Sequence, residues 1–432
     1  MKAPVGLGKN ILWLIISRFG TQGLAVLFTV VVARRLGSAG FGEYAFIAAA
    51  IFLGNALTTF GTDMLLIREI AASNDLSGLP AALIIQLILS GFFIAAVMLA
   101  APALPNQSAA VVSALEIYSF ALIPLAFFSV FTTALRGKQR MDAYTVLNLV
   151  VALLPAVAVW FFMPPGSAVS NIASLAILLL IVQIAGAIVA GVICTAQIPG
   201  FWQGWHFSLA EALALVKINA PIVLIALITI LYQKISVAMV STLDGPTVTG
   251  WFSAALRVVE ASKTVHLAVF TAVYPAMAQV AYSAGKTSLI DVRPWHGSFG
   301  RPWKLLLIGS GLASAAMFFL AAPLTGFLYG SDFAQAVPAL KLLAWILIPF
   351  TVNTFFSLYN LANHKEKKVM GVQLMGLAVL IGLNAWWIPK WALTGACLAV
   401  IVAEGTQAVI YLASTLHLPQ QARRLIGALI RS

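Results

Sequence analysis

Apolar runs of about 20 residues, the length a helix needs to cross a bilayer, fall near 11–33, 42–66, 80–101, 110–134, 145–163 and 169–195. A second series follows near 216–240, 250–282, 303–323, 339–362, 369–389 and 393–416. The pattern predicts an all-α polytopic membrane protein with about 12 transmembrane helices. Between the two series, Ile198-Pro-Gly-Phe-Trp-Gln-Gly-Trp-His-Phe reads as a linker, and Ser208-Leu-Ala-Glu211 is a capping-box arrangement that starts a helix. The expected organisation is therefore a first six-helix half (1–197), a cytoplasmic linker with an interfacial helix (198–215), a second six-helix half (216–417) and a tail (418–432). In the tail, Arg423, Arg424 and Arg431 alternate with Leu425, Ile426, Leu429 and Ile430. That suits either an amphipathic helix on anionic phospholipids or an ordinary basic terminus. The first run carries Arg18 and has no small-residue cleavage site behind it, so it reads as a retained span rather than a signal peptide.

Of the 432 residues only 9% are charged, against about 25% in soluble chains, and the spans leave no room for an appended soluble catalytic domain. The formal net charge is +12. Seventeen of the 25 basic residues fall on one set of alternate loops and the termini, and only Arg34, Arg35, Lys341 and Lys390 on the other. Positive loops are held on the cytoplasmic side, so both termini are expected in the cytoplasm. The charge is then topology, and it implies no nucleic-acid partner. Cys194 and Cys397 lie in separate apolar runs and offer neither a disulfide framework nor a metal site.

The loop after the first span reads Gly37-Ser-Ala-Gly-Phe-Gly42-Glu-Tyr44-Ala45, and the loop after the seventh reads Gly245-Pro-Thr-Val-Thr-Gly250-Trp-Phe252-Ser253. Both follow G-x4-G-x-aromatic-small. Because six spans is an even number, the halves enter the membrane in the same direction, as a parallel repeat with a central cavity between them.

These residues carry a resemblance. Val32-Ala-Arg-Arg-Leu-Gly-Ser-Ala-Gly-Phe-Gly-Glu-Tyr-Ala, Phe60-Gly-Thr-Asp, Leu66-Ile-Arg-Glu-Ile-Ala and the second-half stretch Gly250-Trp-Phe-Ser-Ala-Ala-Leu-Arg-Val-Val-Glu260 resemble the polysaccharide (O-antigen-type) flippases of the multidrug/oligosaccharidyl-lipid/polysaccharide exporter superfamily. The resemblance implies two parallel six-helix halves around a central cavity, alternating access in a bacterial inner membrane, and a polyprenyl-diphosphate-linked oligosaccharide as cargo. It also implies H+ or Na+ as candidate coupling ion, with no other cofactor. A polysaccharide polymerase and glycosyltransferases would be its working partners. Gln233-Lys234 departs from the family pattern by placing a cation in span seven, which leaves the coupling scheme open.

A basic side chain at mid-span costs roughly 2.5 to 3.5 kcal/mol on insertion scales, so Arg18, Lys234, Arg257 and Lys263 each need water, a partner or a ligand. Arg18 sits on the order of 12 Å into its span. It either snorkels to the headgroups or offers its guanidinium fork to a diphosphate. In span eight Arg257, Glu260, Lys263 and His266 recur every third residue and wind around the helix. They form either a water-exposed extension paired along the helix or a polar cavity wall. In the second case Arg257 and Lys263 would bind anionic cargo, and Glu260 or His266 would take up a coupling proton. Lys234 divides the same way. Glu404 in span twelve, with Gln407 three residues on, is a further candidate for proton or cation coupling.

Gly285-Lys-Thr lacks the glycine that a phosphate loop needs five positions earlier, where Val280 stands. Transport must then draw on an ion gradient, a partner or the cargo's own gradient. The competing readings are a drug or cation antiporter of the same superfamily, a lipid II flippase, and a glycan-modifying enzyme embedded in the membrane. For the antiporter, acidic and aromatic cavity residues would be expected.

Overall fold

The computed structural model describes residues 7–164, 171–203, 205, 207–284, 300–363 and 365–415. The tail from 418 and the Gly285-Lys-Thr segment lie outside the described residues. Helix is the only regular secondary structure among those described. In hydrocarbon every backbone N–H and C=O must find its partner within the protein, and a helix achieves that within one segment.

Among the described residues, twelve spans emerge once the breaks are read. Leu7–Thr59 holds two, separated at Gly37, and Glu366–Thr415 holds two, separated at Ala392. Thr62–Ser73 continues the second span beyond Gly61, whose φ is +62°. Gly78–Ala100, Met141–Phe162 and Ile172–Gln197 are single spans. Pro246–Ala284 is the eighth span; its charges set it apart from the other helices, which are apolar enough to be recognised by composition.

The remaining spans are bent, and proline explains where. Ala109–Ser119 and Leu122–Gly137 form the fourth span, broken just before Pro124. Ala336–Leu343 and Leu347–Ala362 form the tenth, broken at 344–346 just before Pro349. The ninth bends by 66° between Trp303–Phe319 and Ala321–Tyr329, where Pro323 cannot donate to the carbonyl of Phe319. The fourth and tenth spans occupy the same place in the two halves, so the break is itself a repeated feature.

Span seven differs from expectation. Leu209–Asp244 is one helix of 36 residues, capped by Ser208, whose Oγ accepts from the Glu211 N–H. At 1.5 Å per residue it is about 54 Å long, well beyond the ~30 Å hydrocarbon layer. The interfacial helix is thus the first turns of span seven, and its Ala212 and Leu215 are buried in the core of the first half. The linker docks on the same core. Phe201 is buried, and its ring meets Phe131 edge to face at 5.8 Å.

The glycine repeat has a structural counterpart. Gly37 has φ +69° and ψ −174°, and Gly245 has φ +87° and ψ 180°, a conformation open to glycine at both places. Five residues later, Gly42 and Gly250 bring spans two and eight together backbone to backbone. A Cβ on Gly42 would stand 1.8 Å from the Pro246 carbonyl oxygen, and one on Gly250 would stand 1.9 Å from that of Ser38. The contact is reciprocal, as an axis relating two halves requires.

Hydrogen bonds between the halves reinforce this Gly37 end. Arg34 donates through Nε to the Leu328 carbonyl at 2.9 Å and through a terminal nitrogen to that of Phe327. Asn106 donates to the Thr242 carbonyl at 2.8 Å and Gln107 to that of Ser241 at 3.2 Å. Phe41 of the first half packs on Tyr329 and Phe333 of the second.

Candidate functional site

Beneath this closed end a cavity of about 300 Å³ separates the halves. Spans two and four contribute Phe52, Asn55 and Tyr118, and spans seven and eight contribute Lys234, Arg257 and Glu260. The first half thus supplies an aromatic and neutral polar wall, and the second supplies the charge.

Glu260 holds both cations of that wall. Lys234 Nζ donates to its Oε1 at 3.2 Å from the neighbouring span, and Arg257 donates to its Oε2 at 3.1 Å from one turn earlier. None of the three is fully enclosed: the side chains of Lys234, Glu260 and Arg257 remain 18%, 24% and 33% exposed. Lys234 also lies over the Phe52 ring of the first half, 5.1 Å from its centroid. One carboxylate between two basic side chains leaves a formal net positive charge on the cavity wall.

Lys263 does not line the cavity. Its ammonium lies 3.6 Å from Glu404 Oε1 in span twelve and over the Phe350 ring at 4.6 Å. Glu404 is buried, and its Oε2 accepts from Asn353 Nδ2 at 2.6 Å. Tyr232 and Gln407 stand beside it. This second cluster sits inside the second half, tying spans seven, eight, ten and twelve together.

His266 turns away from both groups. Its ring is buried, with Nδ1 3.0 Å from the Ser262 carbonyl oxygen and Nε2 3.1 Å from Ser310 Oγ, which in turn lies 2.6 Å from Thr351 Oγ1. Arg18 is exposed on span one and forms no ion pair among the described residues. Of the residues singled out in the sequence, the structure therefore brings together Lys234, Arg257 and Glu260 on the cavity and Lys263 with Glu404 beside it. His266 and Arg18 stand apart. Sequence reading missed Asn353, which fastens Glu404, and Tyr44 and Tyr329, whose hydroxyls lie near Arg257. A lone Asn or Tyr inside an apolar run carries no periodic signal of its role.

Residues 7–281 match the family model described as "Polysaccharide biosynthesis protein". The chain belongs to that family. Solved structures with a similar fold include transporters of the MOP superfamily. The inward-facing conformation of a multidrug resistance MATE family transporter superposes with a TM-score of 0.71 at 15% identity, covering 95% of this chain and 96% of the other. The lipid II flippase MurJ, in an inward closed conformation, gives 0.70 at 14% identity over 95% and 88%. A MOP superfamily transporter from Pyrococcus furiosus gives 0.65 at 15% identity over 98% and 97%. No curated protein matches. These low identities carry the fold alone: the chain is a helical, multi-pass membrane protein of the polysaccharide biosynthesis family, built on the fold that these transporters share.

Proposed function

We propose that this family member carries an undecaprenyl-diphosphate-linked oligosaccharide repeat unit from the cytoplasmic to the periplasmic leaflet of a bacterial inner membrane, for exopolysaccharide, capsule or O-antigen assembly. It acts as a transporter rather than an enzyme. The observation that carries the reading is the cavity wall, where Lys234 and Arg257 face one carboxylate. With both termini cytoplasmic, the closed Gly37 end is periplasmic and the cavity receives cargo from the cytoplasmic side. The headgroup enters while the polyprenyl tail stays in lipid. Arg257 and Lys234 replace part of the hydration that the diphosphate loses. The halves then rock about the Gly42–Gly250 contact, and the headgroup leaves outward. Arg18, exposed on span one, is the first cation the diphosphate meets. Lys263 joins only when its pair with Glu404 opens. H+ or Na+ is coupled to the cycle through Glu260, Glu404 or His266. A cation antiporter would need free carboxylates in the cavity, and Glu260 is already engaged by two cations.

Arg257→Gln keeps a hydrogen-bonding side chain but removes the charge. Charge-assisted hydrogen bonds contribute roughly 1.5 to 3 kcal/mol, so surface polysaccharide is expected to fall by about tenfold or more at unchanged protein level in the membrane. Arg18→Ala is expected to act in the same direction. Undiminished polysaccharide in Arg257→Gln, or resistance to cationic dyes that tracks expression, would overturn the reading.

A further inference from the structure

The charge count on the cavity wall does not close, and what closes it is a diphosphate together with a proton. Lys234 and Arg257 contribute two positive charges and Glu260 one negative charge. Lys263 adds nothing to the sum, because Glu404 balances it. A phosphate esterified once has a second ionisation near pH 6. A diphosphate esterified at both ends, by a lipid and by a sugar, has none, and carries two negative charges throughout the neutral range. Two cations and two phosphate charges cancel only if Glu260 is neutral. If Glu260 stays ionised, the loaded cavity holds a surplus negative charge in a site of low dielectric, with the carboxylate deprived of its cations and set against phosphate.

Resting on the cargo reading above, we infer that Glu260 is a stand-in anion: it occupies the two cations of the empty cavity, cedes them to the diphosphate, and takes up one proton as it does so. The exchange is balanced. The hydrogen bonds from Lys234 Nζ and Arg257 to the Glu260 oxygens break, new ones form to phosphate oxygens, and one O–H bond forms on Glu260 with a proton from water on the open side. The groups around Glu260 leave it as the proton acceptor. Lys234 faces it from span seven, and Arg257 and Lys263 from its own span. The hydroxyl of Tyr329 lies nearby from span nine and that of Tyr44 from span two, beside Arg257. Glu404, the carboxylate that pairs with Lys263, is also held by Asn353. Cargo loading is thereby linked to proton uptake at the cargo site itself, and release at the opposite face returns the proton there.

The test measures binding of farnesyl diphosphate esterified to N-acetylglucosamine, a probe whose charge is constant, to the purified full-length protein. Calorimetry in two buffers of different ionisation heat counts the protons. The wild type is expected to take up close to one proton per probe bound, with affinity rising about tenfold per unit fall in pH where free Glu260 is ionised. Glu260→Gln is expected to bind with no proton uptake and a flat pH profile, at least as tightly as the wild type at about pH 8. Glu404→Gln is expected to keep the uptake. Probe binding by the wild type without proton uptake, or uptake undiminished in Glu260→Gln, overturns the inference and leaves the cargo reading standing. A wild type that binds no probe at any pH overturns both. The wild-type proton count needs no variant, so it decides even if Glu260→Gln fails to fold.

Discussion

Gly42→Leu is expected to stop transport outright, with the protein still inserted in the membrane. The position has no room for any side chain, because even a Cβ there would lie 1.8 Å from the Pro246 carbonyl oxygen and 2.7 Å from the Gly250 nitrogen. Ordinary van der Waals contact begins at 3.4 Å, so spans two and eight must part by about 1.5 Å or more at this crossing, and no rotamer change relieves a clash with backbone. Overpacking of this kind costs typically 1 to 3 kcal/mol, occasionally more. The cheaper response is for the halves to separate at the Gly37 end, breaking the Arg34 bonds to Phe327 and Leu328 and the Asn106 bond to Thr242. A transporter that cannot close one end leaks or stalls. Gly250→Leu strikes the Ser38 carbonyl from the other side and should behave alike, whereas Gly91→Ala, with nothing within 4 Å, should be silent. A cysteine placed at Ser253 on the cavity wall reports the opening, since the native Cys194 and Cys397 are buried. An impermeant thiol reagent added outside should label Ser253→Cys strongly in the Gly42→Leu background and weakly without it. Equal labelling in both backgrounds, or normal surface polysaccharide in Gly42→Leu, would remove the closed crossing from the mechanism.

That crossing also shows how far the sequence alone reaches. Apolar runs located all twelve spans because the bilayer sets their length. The G-x4-G spacing marked Gly37 and Gly245, which share one backbone conformation, and Gly42 and Gly250, which meet. What the spacing did not carry was the partner of each charge. Every-third-residue recurrence in span eight suggested that Glu260 pairs along its own helix, and it does pair with Arg257. Its second partner, Lys234, comes from the preceding span, 26 residues away, and Lys263 goes to Glu404 near the end of the chain. Helical periodicity fixes neighbours on one helix but not which helix lies opposite. Spans four, nine and ten bend beside Pro124, Pro323 and Pro349, and a proline announces a kink without its direction. The interfacial helix expected before span seven became its first turns for a related reason. The capping box at Ser208 fixes where a helix starts, and burial of Ala212 and Leu215 against the first half keeps it running.

Glu404→Ala is expected to be the most destabilising single substitution of a charged residue among the described residues. The carboxylate is buried, and it compensates an ammonium whose side chain is only 18% exposed. Removing one partner of a buried pair costs about 3 to 5 kcal/mol, because the other charge stays behind without compensation. Asn353 loses the acceptor at 2.6 Å but keeps the Glu404 backbone carbonyl at 3.0 Å, so its share of the loss is the smaller one. Replacing both members by groups of similar volume is often close to neutral. Lys263→Met combined with Glu404→Gln is therefore expected to recover most of the stability in thermal melts of the detergent-solubilised protein, since glutamine still accepts from Asn353 and methionine still packs on Phe350. Lys263→Met alone leaves Glu404 buried without its cation, and should melt below the double variant. A double variant no more stable than Glu404→Ala would show that the pair is not what holds these spans together. Transport by the double variant then separates frame from cargo site. Export that returns with stability makes Lys263 and Glu404 a frame alone, and export that stays lost keeps them in the transport step, while Arg257→Gln, which touches no part of the Glu404 cluster, should melt near the wild type and still fail to export.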